Sequence, residues 1–141
     1  MKYPSYLNYY WRLWIGMVGC LLLLRWSFFL GANDNILFVL FAAYAVLVWG
    51  TVCALNLFEN RRMMNYLKEF HREKCEQLLG VTFLRNYGLS GVKALQFIFS
   101  DDDLGDEEIS VIKRERKRFI AFALTVLFSM IPLSVMVTIA L

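Results

Sequence analysis

Charge is nearly missing from three long stretches of this 141-residue chain. Residues 11–30, 36–57 and 119–141 carry only Arg12, at an edge, and Arg25, well inside. A water-soluble domain this size shows apolar residues in short periodic runs, whereas uninterrupted blocks of more than about 18 mark membrane spans. The chain is also too short for two soluble domains. Cysteine is scarce: Cys20 and Cys53 lie in different apolar blocks at different depths, and Cys75 lies in polar sequence. An odd, scattered count argues against a disulfide framework. The one histidine, His71, lies outside the apolar blocks, which disfavours a haem anchor held by histidine ligands. No nucleophile–base pair and no phosphate loop is present, so an enzyme acting alone is not expected, nor is a cofactor. A net charge of +3 is mild and does not suggest a nucleic-acid binder. Nothing at the start reads as a cleavable signal, whose apolar core is roughly 7–15 residues and ends at a small-residue site. The first block is therefore read as a retained span.

What is present divides into a two-span hairpin over 1–58, a polar insert over 59–118 and a third span over 119–141. Tyr9, Tyr10, Trp11 and Trp14 cluster around Arg12, as aromatics do where a span enters the headgroup layer. The first span then runs about Trp11–Leu30, near the ~20 residues that cross the hydrocarbon core. Gly31–Asn35 forms a turn so short that the second span, Ile36–Leu57, must return antiparallel; Gly31 can close the first helix and Asn35 can cap the next. Arg25 would cost roughly 2.5–3.5 kcal/mol at a helix centre. Five residues before Leu30, it can snorkel to the outer surface, pair with Asp34, or contact a partner subunit; an ion pathway is the remoter alternative.

Within the insert, Met63, Leu67, Phe70, Cys75 and Leu78 recur at helical spacing, predicting an amphipathic helix over 62–79 that Gly80 stops. A second short helix is expected over 90–99, capped by Ser90, with Val92, Leu95, Ile98 and Phe99 on one sticky face. The basic ends of the insert, with apolar stripes between them, suit a surface of anionic lipid, and one of these two helices is expected to lie against it. The acidic residues of 101–108 suit the first turn of a helix, which would run through Ile109 and Ile112 and the basic run 113–118 into the last span without a break. Pro132 removes a backbone donor there, and Ser129 and Ser134 can satisfy the freed carbonyl.

Orientation follows the basic residues. Arg61 and Arg62 follow the second span, and Lys113, Arg114, Arg116, Lys117 and Arg118 precede the third. Both groups belong to the insert, which should be cytoplasmic, with the N-terminus inside, along with Lys2 and Arg12, and the C-terminus outside.

His71 and Cys75, at i and i+4 with Glu73 nearby, have the spacing of two metal ligands. Two ligands make half a site, so a surface histidine beside a core-facing thiol is the expectation. The run 101–108 has alternate aspartates and a glycine but lacks the glycine and glutamate register of a calcium loop; a solvated, helix-capping acidic face is expected, with a dock for a basic partner as the alternative. Ala121, Thr125 and Ser129 repeat every four residues on the third span, Gly50 and Ala54 on the second, and Gly16 and Gly19 lie close together on the first. Small residues at that spacing let helices approach closely. Packing of the three spans on one another is the plain reading and docking on another protein the alternative. Trp26, Phe28, Phe29, Phe38, Phe41, Phe119, Phe122 and Phe128 are expected to face outward.

The stretches Tyr66–Leu79–Gly80, Phe83–Asn86, Ala94–Phe99 and Arg114–Phe119 form a polar helix, a Leu-Gly, an Asn-containing loop, a short apolar helix and a basic run leading into a span. In this order the second half resembles small inner-membrane proteins of the universal stress protein B type; the N-terminal hairpin departs from it. The resemblance implies an integral bacterial inner-membrane protein, linked to stress and without known catalysis, and it carries over no site residues.

The sequence thus predicts an all-α membrane protein with three transmembrane helices and a helical cytoplasmic insert. The function expected is that of a non-catalytic accessory subunit in a larger inner-membrane complex, with a membrane-protein partner or further copies of the chain, and with anionic lipid. The candidate contact residues are Arg25, Arg61, Arg62, Arg114, Arg116, Lys117, Arg118, Ala121, Thr125 and Ser129. The alternative is a self-assembling effector or channel in stress, lysis or defence, with Arg25, Ser129, Ser134 and Thr138 facing a pore.

Overall fold

The computed structural model describes residues 4–81, 87–89 and 91–138, with side chains undescribed from 80 to 90. Lys2, the 83–86 stretch, the Ser90 cap and the last three residues of the third span lie outside the described residues. The order of elements is α1 (Leu7–Ser27), α2 (Asp34–Phe70), α3 (Arg72–Leu78), β1 (Leu79–Val81), β2 (Tyr87–Leu89), α4 (Gly91–Phe99) and α5 (Glu107–Thr138). The fold is that of an all-α membrane protein: α1, α2 and α5 are each long and apolar enough to cross a bilayer.

Two compact units result, one of 5–53 with 119–141 and the other of 1–4 with 54–118. In the first, α1 ends at Ser27, three residues short of the apolar block, and Gly31 takes a left-handed φ of 79° in the turn. The cap of α2 is Asn33 rather than Asn35: its Oδ1 accepts from the Ile36 amide at 3.0 Å, satisfying one of the donors that a helix start leaves open. The core is built from large side chains, among them Tyr10, Leu21, Leu37, Val48, Phe122 and Val126. Tyr10 meets Phe119 edge-on at 5.8 Å and Trp11 meets Phe122 at 4.9 Å, a favoured aromatic geometry. Phe119 and Phe122 are therefore interior, against the expectation, while Phe28, Phe38 and Phe128 do face outward.

In the second unit, α2 does not stop near Glu59 and restart. It runs to Phe70, because nothing between Leu57 and Phe70 breaks a helix. The break falls at His71 (φ −139°, ψ 59°), and α3 then ends at Leu78. The single helix expected over 62–79 is thus two, and Gly80 lies in a strand. β1 and β2 form a small antiparallel ribbon with Leu79 opposite Leu89, an addition to the otherwise helical insert. Met63, Leu67, Cys75 and Leu78 are buried as their spacing predicts, together with Ile98, Ile109 and Ile112; Phe70 is exposed. On α4 the buried face is Ala94, Phe97 and Ile98; of the sticky face expected, Val92, Leu95 and Phe99 are exposed together and Ile98 is turned inward. α5 runs unbroken from Glu107 to Thr138, as expected, with Pro132 inside it. The Ser129 and Ser134 hydroxyls donate to Val126 and Ile131, not to the Phe128 carbonyl that Pro132 frees.

Candidate partner and lipid-contact site

The small residues of the spans do not pack the chain on itself. Ala121 and Thr125 are exposed along α5, with Ser129 half-buried below them. On α2, Gly50 and Ala54 are exposed. A Cβ added at Gly16, Gly19 or Gly50 would meet nothing within 4 Å. The expectation that these faces serve internal packing is therefore not met. The physical reason is the aromatic core: Tyr10, Phe119 and Phe122 fill the interior of the first unit, and the small residues are left on the other sides of the helices.

The hydroxyls proposed for a pore are turned inward on their own helix. Ser129 Oγ donates to the Val126 carbonyl at 2.6 Å, Ser134 Oγ to Ile131 at 2.7 Å, and Thr138 Oγ1 to Ser134 at 2.8 Å. Such back-bonding to a preceding carbonyl hides the polar group from an apolar surround.

Arg25 does not snorkel. It is 5% exposed; its Nε donates to the Val137 carbonyl at 2.9 Å and its Nη1 to the Phe29 carbonyl at 2.8 Å. It sits in the last turn of α1, and Val137 lies near the end of α5. Two helix C-termini, each with a partial negative charge, thus surround the guanidinium. It ties α1 to α5 and is no lipid contact.

The basic residues of the insert separate into two groups. Arg61, Arg114, Lys117 and Arg118 are exposed; Arg118 pairs with Glu115 at 3.0 Å, and the Lys117 ammonium stands 5.5 Å from the Phe99 ring centroid. Arg62 instead grips Glu59 at 2.9 Å and the Pro4 carbonyl at 2.7 Å. Arg116 is buried and donates to Asn60 at 2.6 Å and Asn56 at 3.2 Å. Arg116 is therefore an internal strut, not a headgroup contact.

Lys113, read as part of the same basic run, is 3% exposed. Its Nζ donates to the Asp102 carbonyl at 2.6 Å and the Ser100 carbonyl at 3.1 Å, and lies 4.4 Å from the centroid of the Phe97 ring. A legible signal existed. Ile109, Ile112, Lys113, Arg116 and Phe119 continue one stripe at spacings of three and four, which places both basic residues on the buried side of α5.

The acidic run is more than a solvated face. Asp106 caps α5 by accepting from the Glu108 amide at 2.9 Å, as expected. Its Oδ2 also accepts from the Tyr66 hydroxyl at 2.8 Å and lies 2.8 Å from His71 Nε2. Asp102 pairs with Lys74 at 3.0 Å. Leu104 and Gly105 take left-handed φ values of 55° and 70° in the turn between. His71 is thus half-buried and committed to Asp106, and as a break between helices it does not share a helix with Cys75. Burial pushes the Cys75 thiol up, which makes it a poor nucleophile. Among the described residues no cluster of three or more His, Cys, Asp or Glu could hold a metal ion.

The bonds from His71 and Tyr66 hold the Asp106 carboxyl below its usual range, while burial and the same carboxylate push the Tyr66 phenol up to about 12. The lowered carboxylate stabilises the insert above its unfolded value and loses that contribution as pH falls through the folded one. The raised phenol contributes fully below about 10 and loses its contribution as pH rises through about 12. Thermal melts should therefore show Asp106→Asn closing on the wild type as the medium is acidified, and differing most near neutral pH. Equal spacing of the two melting points from pH 7 to 3 would contradict this.

No protein-family model, curated protein or solved structure matches the chain.

Proposed function

We propose that the chain is a non-catalytic accessory or regulatory subunit of a larger membrane complex, in the inner membrane of a bacterium, with the insert on the cytoplasmic side. The observation that supports this is the unused small-residue surface of the spans: Gly16, Gly50, Ala121 and Thr125 are open. Helix association in lipid relies on close approach at such residues, and here the chain's own bundle leaves them to another helix. The self-assembling pore is less well supported, because Ser129, Ser134 and Thr138 spend their hydroxyl donors on their own helices and Arg25 is enclosed. The stress-linked role implied by the sequence resemblance is compatible with a subunit of this kind.

The test is purification from native membranes in mild detergent, comparing the wild type with Ala121→Phe and Gly50→Leu. The expected outcome is a co-purifying membrane protein that both substitutions release, while the mass of the chain itself stays monomeric. A lone monomer from the wild type, or ion flux through liposomes containing only this chain, would overturn the proposal.

A further inference from the structure

α4 has two apolar faces. Ala94, Phe97 and Ile98 are buried in the insert, and at 3.6 residues per turn Val92, Leu95 and Phe99 fall on the opposite side. Those three are 67%, 46% and 57% exposed. A nine-residue helix that shows this much apolar surface is not built to face water on that side. The exposed Gln96 and Lys93 border the stripe, and Lys93 Nζ donates to the Gln77 carbonyl at 3.2 Å.

The charge around this stripe indicates what covers it. Phe99 lies beneath the Lys117 ammonium, and Lys117 stands two residues before Phe119, where the uncharged run of α5 begins. The C-terminal end of α4 therefore stands beside the last basic turn of α5. Arg114 and Arg118, also exposed, flank Lys117 on α5. Of the nearby acids, Asp102 is paired with Lys74, Asp103 lies 3.5 Å from the Lys113 ammonium and Glu115 bonds Arg118; Asp101 is exposed. An apolar stripe beside exposed cations matches the acyl boundary and the phosphates of one leaflet.

We propose that α4 is a membrane-surface helix that lies on anionic lipid, with Val92, Leu95 and Phe99 entering the acyl boundary and Lys117, Arg114 and Arg118 meeting phosphate groups. Adsorption of this kind combines apolar burial with attraction to anionic headgroups. It needs α5 to cross the bilayer but does not depend on a partner protein, so it can stand if the subunit proposal fails.

The test uses the full chain in nanodiscs of phosphatidylcholine alone and of phosphatidylcholine with phosphatidylglycerol. Cys20 and Cys53 are replaced by alanine, the buried Cys75 is kept, and nitroxides are placed singly at Val92→Cys, Leu95→Cys and Lys93→Cys. Collision with lipid-soluble oxygen and with a water-soluble nickel chelate is then measured. In the anionic discs the labels at 92 and 95 should favour oxygen and the label at 93 should favour nickel. Adding Lys117→Gln should weaken the lipid-facing population about fivefold, the usual weight of one basic residue at an anionic surface. Nickel access at 92 and 95 in both lipids would overturn the proposal. So would an identical pattern in phosphatidylcholine alone, which would remove the charge from the contact, or exclusion of both reagents, which would mean that a protein covers the stripe.

Discussion

Replacing Lys113 with methionine will open the insert and expose Cys75. Lysine is buried here and gives its protons to the carbonyls of Ser100 and Asp102, both in the connection between α4 and α5. Methionine preserves the length and the packing against Phe97 but leaves those carbonyls without their charged donor. A hydrogen bond from a charged group contributes roughly 1.5–3 kcal/mol, two are lost, and because both acceptors are only part-buried water recovers a share of that. The ion pair with Asp103 adds little, since that carboxylate is half-exposed and screened. A loss of about 3 kcal/mol raises the open fraction roughly a hundredfold. Cys75 is the native reporter, since it is buried in this unit while Cys20 and Cys53 are exposed. With those two replaced by alanine, the maleimide labelling rate of Cys75 should rise by that factor in Lys113→Met and by little in Lys117→Met. Equal rates in the two variants would remove Lys113 from the support of the insert.

Arg25→Glu should be the most damaging single change in the spans. The guanidinium donates to carbonyls at the ends of two helices, and each helix C-terminus favours a cation by up to ~2 kcal/mol in a partly buried site. A carboxylate reverses both terms: it has no donor for Val137 or Phe29, and it faces their oxygens in a medium that cannot solvate it. Arg25→Lys keeps the charge but cannot reach two carbonyls in different directions with a planar fork, so an intermediate loss is expected. Thermal unfolding in detergent should place the midpoints in the order wild type, Arg25→Lys, Arg25→Glu, with Arg25→Glu largely absent from the folded monomer. A folded Arg25→Glu with the wild-type midpoint would mean that the two carbonyl bonds contribute nothing.

These two sites also show what the sequence discloses. The three spans were legible because the length of an apolar run is itself a physical requirement for crossing hydrocarbon, and the unbroken α5 because no breaker stands between Glu107 and Phe119. The stripe Met63, Leu67, Cys75 and Leu78 was legible from spacing alone. The break at His71 was not: no Gly or Pro stands there, and its side-chain partner Asp106 is 35 residues away. The place of Arg25 is not legible, because Val137, its acceptor, lies 112 residues along the chain. Lys113 and Arg116 were hidden by their neighbours, since a run of basic residues reads as one solvated face unless the helical stripe through Ile109 and Ile112 is followed into it. The open small-residue faces were legible as a pattern; that the chain leaves them unused depends on which aromatics fill the interior, and spacing does not encode that choice.

Sidedness decides whether the insert can meet cytoplasmic partners and inner-leaflet lipid at all. Single cysteines at Asn35 and Ser110, in a chain with its own three cysteines replaced, can be probed with a membrane-impermeant maleimide on spheroplasts before and after lysis. Asn35→Cys, in the first turn of α2, should react in intact spheroplasts, and Ser110→Cys, near the start of α5, only after lysis. Reaction of Ser110→Cys in intact spheroplasts would place the insert on the outer side and contradict the three-span orientation.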